Sequence, residues 1–89
     1  MKKIDYIEFK KIINNLKNKN VLIKIETLIK TEIYIENVQI TLNKYLLRIF
    51  NSENKKIDID INYVANFYND EKNLKLEFDA IGYILIKQK

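Results

Sequence analysis

The run from Lys56 to Phe67 constrains the fold more than any other stretch: Lys-Ile-Asp-Ile-Asp-Ile-Asn-Tyr-Val-Ala-Asn-Phe. Its odd positions, Ile57, Ile59, Ile61, Tyr63, Ala65 and Phe67, are apolar, and Asp58, Asp60, Asn62 and Asn66 between them are polar. Successive side chains of a pleated strand point to opposite faces, so the run reads as one long strand, dry on one face and wet on the other. Val64 is apolar on the polar side and marks a bend or a second contact.

Similar alternation recurs. Val21, Ile23, Ile25, Thr27 and Ile29 share one side of a first strand, opposite Leu22, Lys24, Glu26 and Leu28. A second strand over 31–42 changes phase, because Ile33 and Ile35 are odd whereas Val38, Ile40 and Leu42 are even. A strand cannot change phase without an extra residue, so Glu36-Asn37 must be a bulge or a tight turn. Asn43-Lys44 reads as a turn before a strand from Tyr45 to Phe50, and Ser52 to Lys55 as the next loop. Asn69 to Asn73 is a further loop, followed by alternation of Leu74, Leu76 and Phe78. Gly82, the lone glycine, marks the connection to a last strand over Tyr83 to Lys87.

The N-terminal stretch has a period of 3.6 instead. Asp5 and Glu8 form a capping-box pattern, with Ile4 and Phe9 placed for a hydrophobic staple. Tyr6, Phe9, Ile12, Ile13 and Leu16 fall on one face at 100° per residue, while Lys10, Lys11, Asn14 and Lys17 lie opposite and Ile7 is a misfit. Asn18 or Asn20 can take the left-handed stop. These signals predict a helix over about residues 5–18.

One helix followed by five or six antiparallel strands predicts a single α+β domain, an antiparallel meander over about 21–87 bent strongly or closed into a small barrel. That order resembles the topology of an SH3-like or Sm-like barrel. The glycines and compact boxes of Sm proteins are missing, so the resemblance carries no functional residues.

Composition narrows the function classes. The chain of 89 residues has no cysteine and no histidine, which removes disulfides, the two best zinc ligands and the commonest neutral acid–base and thiol nucleophile. No cofactor and no enzymatic role are expected. Asp58-Ile59-Asp60-Ile61-Asn62 opens like a calcium loop, but Tyr63 stands where the turn glycine belongs and Asn69 where the bidentate glutamate belongs. A wet strand face explains it better, and no metal site is expected. No apolar run approaches a membrane span, and Asp5, Glu8, Lys10 and Lys11 interrupt any signal-peptide core, so the cytoplasm is the expected location. Seventeen isoleucines with abundant lysine and asparagine suit an AT-rich bacterium, or a phage or mobile element living on one.

Two binding roles remain. Leu46 and Phe50, and Ile84 and Ile86, oppose the main alternation of their strands, and one short helix cannot cover them all. They predict, with Tyr34, an apolar patch for another protein. That points to a small non-catalytic module, inhibitor-like or antitoxin-like, and also to a homodimer. The alternative is nucleic acid. Residues 1–30 hold eight lysines against three acids. Lys10, Lys11, Lys17 and Lys19 could meet phosphates from the helix, with Tyr34, Tyr45 and Tyr68 available for base stacking.

Overall fold

Short period-two runs divided by asparagine and lysine turns build nine strands around one helix, in a computed structural model that describes residues 1–89. In chain order these are β1 (Lys2–Ile4), α1 (Tyr6–Asn14), β2 (Val21–Glu26), β3 (Lys30–Ile35), β4 (Gln39–Asn43) and β5 (Leu46–Phe50). There follow β6 (Lys56–Asp60), a 3₁₀ turn (Ile61–Tyr63), β7 (Val64–Asn69), β8 (Asn73–Phe78) and β9 (Gly82–Gln88). All strand pairs are antiparallel.

The strands form two sheets. One has six strands in the order β1-β7-β8-β9-β2-β3, and the other three in the order β4-β5-β6. Neither sheet closes, which corrects the expected barrel and the single meander over 21–87. The physical cause lies at two switch points. At Glu36-Asn37 the chain turns, with Asn37 at φ 51°, and passes from the first sheet to the second. At Ile61–Tyr63 it passes back, so Lys56–Phe67 is not one strand. Asp60 accepts a hydrogen bond from the Asn62 backbone N–H at 3.0 Å and caps the 3₁₀ turn. The helical turn absorbs the phase change that Val64 betrayed.

Registry decides which side of each strand is dry. Ile4, Phe67, Leu76, Ile84 and Ile25 stand opposite one another across β1, β7, β8, β9 and β2. Leu74, Ile86, Ile23 and Ile33 make the next row. Together with Ile40, Leu47, Ile49 and Ile59 of the small sheet, and Phe9 and Ile13 of α1, most of these residues belong to one buried apolar cluster. Burial of this kind contributes about 25 cal/mol per Å² of apolar surface removed from water.

Helix α1 is shorter than predicted and is preceded by a strand. Asp5 caps it, accepting from the Glu8 N–H at 2.8 Å. After Asn14 the chain continues in tighter turns, Leu16 N–H to Ile13 carbonyl and Lys17 N–H to Asn14 carbonyl. Asn18 then takes φ 67° and its N–H donates to the Val38 carbonyl at 2.8 Å, which locks the helix exit to the start of β4. Lys2–Ile4 carried no strand signal because three residues are too few to show a period. Gly82, at φ 126°, lies so close to β2 that an added Cβ would meet the Glu26 carbonyl oxygen at 2.0 Å. The β8–β9 connection can therefore pass there only as glycine.

Candidate nucleic-acid interface

Helix α1 and the β4–β5 hairpin face each other across an open groove. Tyr6, Lys10 and Asn14 succeed one another at four-residue spacing on the helix, and Lys17 continues the line. Lys44 and Tyr45 reach the opposite wall because Lys44 adopts φ 55° in the hairpin turn. Ile40 and Leu42 lie beneath with Thr41. The groove has a volume of about 990 Å³, against about 210 to 280 Å³ for the other three concavities of the surface.

Its two walls are tied together. The Tyr6 hydroxyl donates to the Lys44 carbonyl at 3.3 Å, and the Ile61 N–H donates to the Tyr45 carbonyl at 2.7 Å. The Tyr6 ring packs against Phe9 and Phe67, both centroids at 6.0 Å, and the Lys10 ammonium stands 5.0 Å from its centre. Tyr45 leaves 53% of its surface exposed. Three ammonium groups and two tyrosine rings thus line one groove, and no carboxylate is among its lining residues. A site of this make-up favours a polyanion with flat, stackable groups.

The solvent face of the six-stranded sheet makes a useful contrast. Lys3, Tyr68, Lys75, Leu85, Lys24 and Glu32 form one row across it. There Lys24 pairs with Glu32 at 3.6 Å and Lys30 with Glu26 at 3.9 Å. Lys75 lies over the Tyr83 and Tyr68 rings, at 4.5 and 5.7 Å. Lys24, Lys30 and Lys75 are thus engaged by carboxylates or rings, whereas of the groove lysines only Lys10 is, over Tyr6.

The sequence-predicted residues separate accordingly. Lys10 and Lys17 line the groove; Lys11 and Lys19 do not. Of the candidate stacking residues Tyr45 belongs to it, while Tyr34 and Tyr68 lie on the other sheet face. Lys44 and Asn14 were missed as partners of Tyr45, since only the hairpin fold brings them together. Ile84 and Ile86, expected in an exposed patch, are core residues at 7% and 1% exposure. Registry puts Tyr83 and Leu85 outside instead, with the opposite phase. Leu46 is exposed and Phe50 half-buried on the small sheet, and Tyr34 is exposed on the large one, so the expected patch loses Ile84 and Ile86 to the core.

No helix is long and apolar enough to cross a membrane. Comparison of this chain with protein-family models, with curated proteins and with solved structures finds no match.

Proposed function

We propose that this protein is a non-catalytic nucleic-acid-binding module that holds the sugar–phosphate backbone in the groove between α1 and the β4–β5 hairpin. The observation that carries it is that Lys10, Lys17 and Lys44 line one groove with Tyr6 and Tyr45 and without an acidic residue among them. Each phosphate that a lysine neutralises releases counterions, so binding weakens as salt rises. With three lysines engaged on a single strand, the slope of log affinity against log salt is about −2, at roughly −0.7 per phosphate. Lys10→Glu with Lys17→Glu removes two of the three and brings the slope above about −1. Fluorescence anisotropy of a labelled oligonucleotide, titrated at several salt concentrations, measures it. No binding at low salt would refute the reading.

A second reading, self-association, is favoured by the far end of the large sheet. Leu28 is 96% exposed in the β2–β3 turn, and Ile29 and Ile81 are exposed at the same end. The β8–β9 connection lies against Thr27 there, as the approach of Gly82 shows. Burying this apolar end against a second copy offers a homodimer that the core residues Ile84 and Ile86 cannot provide.

A further inference from the structure

We infer that the groove takes single-stranded nucleic acid in preference to duplex, with one unpaired base seated in the slot between Tyr6 and Tyr45; this rests on the nucleic-acid reading above. The slot is lined by Tyr6, Tyr45, Ile61, Asn62 and Phe67 and shares both tyrosines with the basic groove. It is about 210 Å³, and its walls are apolar except for the tyrosine hydroxyls and Asn62.

Each wall has a distinct part. Tyr6 is fixed by its packing on Phe9 and Phe67 and by its hydrogen bond to the Lys44 carbonyl. Tyr45 is the exposed ring and supplies the stacking surface. Asn62 stands at the slot with its backbone N–H committed to Asp60 and its carboxamide free to meet the hydrogen-bonding edge of a base. Lys10, beside the Tyr6 ring, and Lys44, next to Tyr45 in the chain, place positive charge where the flanking phosphates would run.

A duplex cannot use the slot without extruding a base, which sacrifices that base's stacking and pairing. Phosphates alone do not distinguish the two forms strongly, so discrimination falls to the slot. Stacking is tolerant of base identity, whereas an amide on a base edge is selective.

The test compares one labelled oligonucleotide as a single strand and as its duplex, by anisotropy at low salt, with wild type, Tyr45→Ala, Tyr45→Phe, Asn62→Ala and the off-groove control Lys11→Glu. Tyr45→Ala should weaken single-strand binding roughly 5- to 150-fold, the effect of losing one stacked base, without changing the salt slope. Tyr45→Phe should keep the affinity, Asn62→Ala should reduce the difference between base compositions, and Lys11→Glu should bind as wild type. Duplex should bind more weakly than single strand and ignore Tyr45→Ala. Equal affinity for both forms, or an unaltered Tyr45→Ala, would overturn the base slot even if the Lys10 and Lys17 charge reversals still flatten the salt slope. Absence of binding to either form at low salt would remove the groove reading itself.

Discussion

Among single residues, Arg48 and Asp58 make the best-defined polar contact. They face each other across β5 and β6, and the Arg48 Nε–H and Nη2–H donate to the two carboxylate oxygens at 2.8 and 3.1 Å. This hydrogen bonding, more than the Coulombic attraction of Arg48 and Lys56, holds the Asp58 carboxyl below its ordinary value of 3.8, against a smaller opposing effect of desolvation. Asp70 is lowered too, chiefly by the backbone N–H of Lys72 and further by Asn73. A carboxylate depressed in the folded state stabilises the fold above its unfolded value, and that stabilisation is lost as pH falls through the folded one. Urea midpoints should therefore hold steady down to about pH 5 and fall below the ordinary carboxylate value. In the variant Asp58→Asn with Asp70→Asn the fall should be shallower. An identical acid profile would show that neither carboxylate contributes.

At the scale of elements, α1 depends on its neighbours. Nine residues are too few for a stable isolated helix in water, so packing has to hold it. Phe9 supplies much of that packing: it is fully buried, 4.4 Å from Phe67 between ring centres. Phe9→Ala should cost about 3–5 kcal/mol, a large share of the roughly 5–15 kcal/mol typical of a domain. Chemical denaturation should show a lower midpoint with little change of slope. An unchanged midpoint would mean that α1 does not brace the sheet. Because Tyr6 packs on the same Phe67, the groove wall is rigid only while this aromatic cluster is intact.

For the whole molecule, the groove and the apolar end are separate features. The end carrying Leu28, Ile29 and Ile81 belongs to the hairpin tips of the large sheet; the groove belongs to α1 and the small sheet. Self-association through that end should leave the groove open. Light scattering at tens of micromolar should give a mass above the 10.7 kDa of one chain, and Leu28→Ser with Ile81→Ser should restore it. A wild-type mass of 10.7 kDa would refute association.

What the sequence determined by itself is local: the antiparallel α+β class, the helix face of Phe9 and Ile13, the interruption at Glu36-Asn37, a left-handed stop at Asn18 or Asn20, of which the structure uses Asn18, and the Gly82 connection. Each follows from periodicity or from a backbone angle that few residues tolerate, which a short window contains. The tertiary structure alone decided the rest. Ile84 and Leu85 are equally apolar, and only the register of β9 between β8 and β2 sends the first inward and the second outward. The split of Lys56–Phe67 depends on two sheets competing for its halves, and β1 exists only because β7 offers an edge. Lys10 and Lys17 share a helix face that the sequence already shows; Lys44 joins them in one groove only because the β4–β5 turn folds back beside the helix.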